Sequence, residues 1–399
     1  MRNDEIADSR HDQMAIDARS NVMDIAGIIV EFNPFHNGHD FHIKKTREIT
    51  GCKYIIAVMS GNFVQRGEPA ICDKWRRTEM ALNLGVDMVI EIPVPYVIAG
   101  ADYFARASVG LLAKTGIVDC LSFGSELGDL SILMEAGQIL AEEPSLYKQR
   151  LQAELSDGKS FATAHKTALR DVLLNKNSNI KNIPESLFTK PNNCLAMEYC
   201  KVMQLLNNPF QIFTTHRAEG GVSATKIRKD FINKTLIQNQ MPDIAYKILK
   251  DAPINELDNY SSIFRYLCIT KELDLGEGLE HRFKRLAPEY NKLSDLIMAV
   301  KTKRYTHTRL QRAVISVLLE IDKSTINMYE ESGGVQYIRV LGFREESRHL
   351  LSELSRKATL PVITHKKIIG EVLKRGGVAK HMLKKELLSE EIYNLVTTP

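Results

Sequence analysis

The sequence predicts an α/β protein organised around a doubly wound parallel sheet. In the first third of the chain, short apolar runs rich in β-branched residues alternate with helical stretches of about 10 to 15 residues. Turn residues end the apolar runs, as at Asn33-Pro34 and Ser60-Gly61. Strands joined by helical crossovers run parallel, and their carboxyl ends share one edge of the sheet. We therefore expect a ligand site at that edge.

The first predicted unit is a strand, a tight turn and a helix. The strand covers residues 25–32, and the helix covers residues 40–49 and stops at Gly51. The turn between them contains His36, Gly38 and His39. Backbone N–H groups and the positive end of the helix dipole meet at such a turn, which favours binding of an anion.

The two histidines predict phosphate chemistry at this turn. Gly38 lets a phosphate approach the backbone closely, and the flanking imidazoles can donate hydrogen bonds to phosphate oxygens as charge builds in a transition state. The alternative interpretation is that His36 and His39 are ordinary turn and helix-cap residues. Their position directly after a buried strand favours the phosphate site.

The following elements extend the same pattern. A second strand at residues 54–59 leads into a polar loop at 61–72, which we interpret as a lid or substrate loop, with a solvated connection as the alternative. Asp73 caps the next helix. Gly124, at the end of the fourth strand, would let a nucleoside lie against bare backbone. The remaining predicted strands are 87–92, 119–123 and 211–214, with helices at 101–114 and from Pro191 onward.

A second phosphate-binding element is predicted near residue 223. Ser223 and Thr225 stand at a helix start, where hydroxyls and backbone donors act together, and Arg228 supplies a planar fork for phosphate oxygens. Alone, this pattern could be an ordinary helix start. Asn192 and Asn193 open the helix after Pro191 and could likewise be simple caps. For the segment at residues 223–228, the presence of an H-x-G-H turn upstream favours phosphate binding over simple capping.

The chain beyond Asp230 is predicted to be helical almost throughout. Residues 301–399 contain 18 Lys or Arg and 11 Asp or Glu, a net charge of +7. A basic segment with an embedded aromatic residue is typical of surfaces that bind an RNA backbone and an unstacked base, and a solvated helix face is the alternative. The predicted RNA-binding residues are Lys301, Lys303, Arg304, Tyr305, Arg309 and Arg312.

Composition limits the class of protein. No apolar run reaches the roughly 18 residues that a membrane span needs, so we expect a soluble protein with no membrane partner. The net charge of +4 permits a nucleic-acid partner without requiring one. The six cysteines contain no C-x-x-C pair, and no secretory segment is recognisable, so we expect reduced thiols in the cytoplasm rather than a zinc site.

The length of 399 residues indicates two or three domains. Residues 1–22 are polar and acidic, and we expect them to form a poorly ordered N-terminal extension. We assign a nucleotide-binding domain to residues 23–232, with a helical insertion at about 129–190. Residues 233–399 are assigned to a helical C-terminal domain that binds RNA.

Three segments make the chain similar to a known family. Residues 33–39, Asn-Pro-Phe-His-Asn-Gly-His, resemble the ATP-binding signature of the H-x-G-H nucleotidyltransferases. Residues 57–70, Ala-Val-Met-Ser-Gly-Asn-Phe-Val-Gln-Arg-Gly-Glu-Pro-Ala, and Asp73-Lys74-Trp75 narrow the resemblance to the bacterial tRNA(Met) cytidine acetate ligases. It covers almost everything from Met23 onward. The resemblance implies a Rossmann-like sheet of the nucleotidyltransferase type, a helical insertion and an all-α C-terminal domain.

The resemblance also implies a reaction. Acetate would attack the α-phosphorus of ATP and release pyrophosphate, and the bound acetyl adenylate would acetylate N4 of the wobble cytidine of elongator tRNA(Met). His36 and His39 would be the catalytic residues. ATP would be a co-substrate accompanied by Mg²⁺, for which the sequence assigns no protein site. No stable protein partner is implied.

The same resemblance implies an ATP site assembled from distant segments. The first strand and its turn would contact the nucleotide together with a strand-end glycine, the asparagine helix and the second phosphate element. These residues are Ile29, Val30, Glu31, Phe32, Asn33, Pro34, Phe35, His36, Asn37, Gly38, His39, Asp40, Phe41, His42, Gly124, Asn192, Arg217, Ser223, Thr225 and Arg228.

Two other functions remain open from the residues alone. An adenylyltransferase that makes a dinucleotide cofactor from a phosphorylated small molecule would share both phosphate motifs, but it would leave the basic C-terminal half without a role. A non-catalytic RNA-binding protein could retain a nucleotide-binding fold. ATP–pyrophosphate exchange separates the ligase, which would need acetate, from the adenylyltransferase, which would need a nucleotide or phosphopantetheine. Variants of His39 and of Lys303 with Arg304 test the non-catalytic alternative.

Overall fold

The computed structural model of the chain describes residues 23–176, 183–217, 222–235, 237–276, 278–302 and 304–397. The expectation for residues 1–22 lies outside the described residues, as does Lys303 of the predicted RNA-binding set.

Seven strands form a mostly parallel sheet, and two short strands form a hairpin. In chain order they are β1 (Ile25–Val30), β2 (Tyr54–Ser60), β3 (Phe63–Val64), β4 (Glu68–Pro69), β5 (Met88–Ile92), β6 (Cys120–Ser125), β7 (Gln211–His216), β8 (Ile338–Phe343) and β9 (Val362–Ile363). The sheet order is β7-β6-β1-β2-β5-β8-β9, and β3 pairs with β4. Because β1 pairs in parallel with both β2 and β6, it lies inside the sheet. The predicted Rossmann-like α/β fold is confirmed.

Helices cover both faces of the sheet and form most of the C-terminal half. Those before residue 233 are α1 (Asn37–Thr50), α2 (Lys74–Asn83), α3 (Val94–Ala99), α4 (Ala101–Thr115), α5 (Leu130–Glu142), α6 (Ser145–Ser156), α7 (Phe161–Lys176), α8 (Ser186–Thr189), α9 (Pro191–Leu205) and α10 (Ala224–Ile232). The later ones are α11 (Asp243–Lys250), α12 (Ser261–Thr270), α13 (Leu279–Leu286), α14 (Leu293–Val300), α15 (His307–Leu318), α16 (Lys323–Glu331), α17 (His349–Lys357), α18 (Lys366–Arg375) and α19 (Gly377–Leu395).

The sheet separates two apolar clusters. Along β2, Ile56 and Val58 pack into one cluster, whereas Ile55 and Ala57 pack into the other. Successive side chains of a strand point to opposite faces, so a strand covered on both sides is apolar at most positions. This coverage explains the continuous apolar runs in the sequence.

The C-terminal half is mainly helical, but it is not all-α as predicted. It supplies β8, which pairs antiparallel with β5, and β9, which pairs in parallel with β8. Gly342 in β8 permits a close approach to α2, because a Cβ there would lie 2.9 Å from Thr78 Cγ2. Two short strands among long helical stretches leave little periodic signal, which is why the prediction missed them. The domain boundary at residue 232 stays a prediction.

Among the described residues, none of the helices combines the length and apolar character needed to cross a membrane.

Candidate functional site

The H-x-G-H turn is held in place by its own histidines. His36 is the N-cap of α1, and its Nδ1 accepts a hydrogen bond from the Gly38 backbone N–H at 3.0 Å. His39 completes a capping box, because its Nδ1 accepts from the His36 backbone N–H at 3.2 Å. This box starts the helix at Asn37, three residues before the predicted start at Asp40.

These backbone bonds fix the tautomers of both imidazoles. Because Nδ1 of His36 and Nδ1 of His39 each accept a hydrogen bond from a backbone N–H, each neutral ring carries its own proton on Nε2. The rings stack with their centroids 3.8 Å apart and their planes 25° apart. The turn therefore presents two neighbouring Nε2–H donors.

Burial keeps these imidazoles neutral at pH 7. It lowers the pKa of His36 to about 4, with Arg217 adding to the effect. Burial also lowers the pKa of His39 well below its ordinary value, and the neighbouring His36 and Arg217 act in the same direction. Neutral imidazoles remain hydrogen-bond donors, so the site has fixed donors that carry no full charge.

The ends of β6 and β7 form the neighbouring corner of the site. Gly124 lies opposite Thr215 in the sheet, and a Cβ on Gly124 would lie 3.3 Å from Arg217 Cγ. The Arg217 side chain therefore lies against bare backbone. His42 Nδ1 is 3.0 Å from Thr215 Oγ1, and burial, followed by Arg217, lowers the pKa of His42 to about 4. Thr215 was not predicted, although its place at a strand end was a usable signal.

Arg228 connects the second predicted phosphate element to the first. Its Nη1 donates to the Asn33 carbonyl oxygen at 2.8 Å, although 195 positions separate the two residues. Its Nη2 donates to Glu68 Oε2 at 2.9 Å and to Thr225 Oγ1 at 3.4 Å. The structure thus brings Arg228 and Thr225 to the loop that leads into the H-x-G-H turn. Glu68 lies in the loop at 61–72 that was interpreted as a lid or substrate loop, but it was not among the predicted site residues.

Ser223 acts as the N-cap of α10. Its Oγ accepts from the Lys226 backbone N–H at 3.2 Å, as the alternative interpretation of this segment requires. The hydroxyl hydrogen of Ser223 is still available to donate, so a cap and a phosphate contact are compatible. Ser223 and Thr225 are exposed, and the predicted role of both in phosphate binding stays a prediction.

Asn192 and Asn193 are held beside the end of β6 by Glu126. The carboxylate of Glu126 accepts from Asn192 Nδ2 at 2.6 Å and from the Asn193 backbone N–H at 2.9 Å. Asn193 Oδ1 in turn accepts from the Leu127 backbone N–H at 3.0 Å. Glu126 therefore caps α9 and places Asn192 close to the strand end that carries Gly124. An acidic residue directly after a strand was the signal available for Glu126.

Glu31 joins the end of β1 to the hairpin of β3 and β4. Its Oε1 accepts from the Gln65 backbone N–H at 2.7 Å. Burial raises the pKa of Glu31, and this hydrogen bond together with Arg77, Arg66 and Arg228 opposes the increase.

The remaining residues of the first segment predicted to contact ATP, residues 29–42, differ in their exposure to solvent. Val30, Phe32, Pro34 and Phe35 are buried, so they form the frame beneath the turn. Asn37, Gly38 and Phe41 are exposed, whereas Ile29 and Asp40 are half-buried.

The predicted RNA-binding segment packs next to this site. Lys301 and Arg304 are exposed, and Arg304 lies over the Tyr305 ring, 5.8 Å from its centroid. Arg309 donates to the Leu275 carbonyl oxygen at 3.0 Å. Burial, followed by the nearby Arg309, lowers the pKa of Arg312 to about 10. The segment therefore has an exposed N-terminal part and a half-buried C-terminal part.

A family model and curated relatives match this chain over most of its length. The family model for HIGH nucleotidyl transferases matches residues 23–399. A Thermoanaerobacter sp. protein named tRNA(Met) cytidine acetate ligase is 41% identical over 397 residues, which cover 94% of this chain and 95% of that protein. A protein of the same name from Acetivibrio thermocellus is 34% identical over 399 residues, covering 93% and 94% of the two chains.

Solved structures match in the same way. The crystal structure of Thermotoga maritima TmcAL bound with alpha-thio ATP is 33% identical in sequence and superimposes with a TM-score of 0.87. The match covers 94% of this chain and 95% of the Thermotoga chain. The apo structure of the same protein gives the same TM-score of 0.87, covering 94% and 96% of the two chains.

Proposed function

Because this chain belongs to the tRNA(Met) cytidine acetate ligase family of HIGH nucleotidyl transferases, we propose that it activates acetate with ATP and acetylates N4 of the wobble cytidine in elongator tRNA(Met). It is a ligase, and ATP is its co-substrate. The acetyl adenylate, the acetate and the wobble position are the parts of this proposal that go beyond family membership.

The observation that carries the proposal is the contact between Arg228 and the Asn33 carbonyl. It joins the two predicted phosphate-binding elements, which come from distant parts of the chain, at one edge of the sheet. A single triphosphate can then be held by both elements, as adenylyl transfer requires.

The first step needs charge stabilisation around the α-phosphorus. As an acetate oxygen forms its bond to phosphorus, the bond to pyrophosphate breaks and negative charge accumulates on the phosphate oxygens. The Nε2–H groups of His36 and His39 are preorganised donors for this charge, each worth about 2.7 to 4 kcal/mol in comparable sites. Thr225, Ser223 and Arg228 would bind the β- and γ-phosphates of the departing pyrophosphate.

The second step explains why activation is needed. The exocyclic amine of cytosine is conjugated with its ring and is a poor nucleophile, so free acetate does not acylate it. A mixed anhydride of acetate and AMP provides a good leaving group. The amine nitrogen attacks the acetyl carbon, AMP leaves, and the amine loses a proton.

Mg²⁺ would accompany ATP in this proposal. No cluster of three or more His, Cys, Asp or Glu side chains among the described residues is arranged to hold a metal ion. We therefore expect the ion to be bound mainly by phosphate oxygens and water. Because tRNA is a cytoplasmic substrate, we also propose that the protein acts in the cytoplasm.

The direct test is ATP–pyrophosphate exchange measured with and without acetate and with and without tRNA. The proposal predicts exchange that needs acetate but not tRNA, followed by formation of N4-acetylcytidine when tRNA(Met) is added. Exchange that instead requires nicotinamide mononucleotide or phosphopantetheine would support the small-molecule adenylyltransferase. Tight tRNA binding without any exchange would support the non-catalytic alternative.

A further inference from the structure

Glu68 contacts two elements to which the sequence assigns different ligands. Its Oε2 accepts from Nη2 of Arg228, in the second phosphate element, at 2.9 Å. Its Oε1 accepts from Gln311 Nε2, on the basic helix α15, at 3.0 Å. These partners lie 160 and 243 positions away in the chain. One carboxylate thus joins the triphosphate side of the site to the helix that carries Arg309 and Arg312.

A backbone contact beside Glu68 reinforces this connection. Gly67 has a φ angle of +78° and lies directly on α15, where a Cβ would be 2.3 Å from the backbone nitrogen of Arg312 and 2.6 Å from the carbonyl carbon of Gln311. Any side chain at this position would push the hairpin and the helix apart. The hairpin of β3 and β4 therefore cannot shift without disturbing α15.

The hydrogen bonds of Arg228 leave it free to bind phosphate while Glu68 holds it. A guanidinium has five N–H groups, and the contacts with Asn33, Glu68 and Thr225 involve only Nη1 and Nη2. Among the residues that the structure describes, Nε–H and one Nη1–H have no hydrogen-bond acceptor and remain for a ligand. Glu68 fixes the orientation of the fork without occupying all of it, which is the arrangement expected of a positioning residue.

Resting on the function proposed above, we propose that Glu68 is a positioning residue that couples nucleotide binding to RNA binding. A triphosphate bound by Arg228 orders Glu68, and Glu68 orders α15 through Gln311. RNA bound on α15 orders Arg228 by the same route. Because such coupling is reciprocal, the nucleotide raises the affinity for RNA by the same factor by which RNA raises the affinity for nucleotide.

The test measures this factor in both directions by equilibrium binding on the full-length protein. A non-hydrolysable ATP analogue and a transcript of tRNA(Met) are the two probes. We expect each probe to tighten binding of the other by about fivefold or more in the wild-type protein. Thermodynamic linkage makes the two factors equal, so the two measurements give independent values of the same coupling. A wild-type factor of one would overturn the proposal.

The variants Gln311→Met and Glu68→Gln locate the coupling. Gln311→Met keeps the volume of the buried side chain but removes its bond to Glu68, so we expect the coupling factor to fall to nearly one while the affinity for the analogue in the absence of RNA is unchanged. Glu68→Gln removes the charge that holds Arg228, and we expect it to weaken analogue binding as well as coupling. A Gln311→Met variant that is stably folded and retains the wild-type factor would contradict the proposal.

Structural damage and failure of the proposed function give different results. A variant that is merely destabilised has a lower melting temperature and a lower affinity for each probe. A variant that has lost only the coupling keeps both affinities, but neither probe changes the affinity for the other. Acetate-dependent exchange by the wild-type protein tests the function without reference to Glu68. Exchange without coupling would reject this inference alone, and coupling without exchange would reject the ligase activity alone.

Discussion

Each histidine of the H-x-G-H turn caps α1 and keeps a donor for its predicted role in the site. Nδ1 of His36 and Nδ1 of His39 accept hydrogen bonds from backbone N–H groups at the start of α1, which leaves both Nε2–H groups available for a ligand. The two interpretations that the sequence left open, helix cap and phosphate donor, therefore do not exclude each other. The cap sets the tautomer that the donor role requires.

Replacing His39 tests the donor role. We expect His39→Ala to lower the rate of acetate-dependent pyrophosphate exchange by at least about 100-fold, because one preorganised donor is lost. Binding of tRNA, measured by filter retention, should remain close to that of the wild type. His281, whose side chain is 86% exposed, gives a matched control. Wild-type turnover in His39→Ala would refute the site assignment, provided that His281→Ala is also active.

The buried imidazoles predict that stability falls in mild acid. An unfolded histidine has a pKa near 6.5, whereas burial lowers the pKa of His36 to about 4, so the unfolded state binds more protons between these values. Stability therefore rises with pH across this window, by about 2 kcal/mol between pH 5 and pH 7 for His36 alone.

Urea unfolding of the wild type and His36→Asn at pH 5 and pH 7 measures this effect. Asparagine is a good N-cap, so the variant retains an acceptor for the Gly38 N–H while losing the titrating group. We expect the difference in unfolding free energy between the two pH values to shrink by about 2 kcal/mol in the variant. An equal pH dependence in both proteins would show that His36 does not titrate as described.

Among the secondary-structure elements, α19 is attached to the sheet by a buried ionic cluster. Lys74 Nζ of α2 lies 2.7 Å from Glu91 Oε1 of β5, and Arg339 Nη1 of β8 lies 3.1 Å from Glu91 Oε2. Burial opposes ionisation of Glu91, yet Lys74 and Arg339 lower its pKa to about 2.

Glu386 of α19 completes the cluster. Burial, followed by the adjacent Glu91 carboxylate, raises the pKa of Glu386 well above its ordinary value. Glu386 Oε1 receives no hydrogen bond from the described residues, and a proton on this oxygen would be donated to Glu91. The C-terminal helix therefore packs beside the carboxyl ends of β2 and β5.

Removing one member of this cluster should destabilise the fold. Lys74→Met leaves the buried Glu91 with fewer compensating charges, and we expect the free energy of unfolding to fall by about 3 to 5 kcal/mol. Lys44→Met is the control, because the Lys44 side chain is 73% exposed in its pair with Asp40 and such pairs contribute at most about 0.5 kcal/mol. Equal losses in the two variants would show that the buried cluster contributes no more than a surface pair.

The basic segment before α15 tests RNA binding. The double variant Lys303→Ala with Arg304→Ala should weaken tRNA binding and reduce the slope of log affinity against log salt by about 2, one for each cation. Acetylation of tRNA should fall more than pyrophosphate exchange, because exchange does not use the RNA. An unchanged salt slope would favour the alternative that this segment is a solvated surface.

At the scale of the whole molecule, short-range sequence patterns predict most of the sheet. Many contacts of the site, in contrast, join residues that lie far apart in the sequence. The strand, turn and helix of residues 25–50 and the helix start at Ser223 were recognisable because periodicity and capping act over a few residues. The start of α1 was displaced by three residues because the usual capping rules do not include histidine.

The missed features depend on distant partners. Glu68, Glu126 and Thr215 are ordinary polar residues in the sequence, and only their contacts give them a role in the site. β8 was missed because its partner β5 lies about 250 positions earlier, and six residues carry little periodic signal. Sequence patterns therefore predicted the chemistry of the site, whereas its positioning contacts required the fold.

The most direct test of the central claim, one triphosphate held by two phosphate elements, is a crystal structure of this protein with a non-hydrolysable ATP analogue and acetate. We expect His36 Nε2 and His39 Nε2 to lie within hydrogen-bond distance of the α-phosphate oxygens, and Arg228, Ser223 and Thr225 to contact the β- and γ-phosphates of the same molecule. A nucleotide that contacts only one of the two elements would contradict the claim.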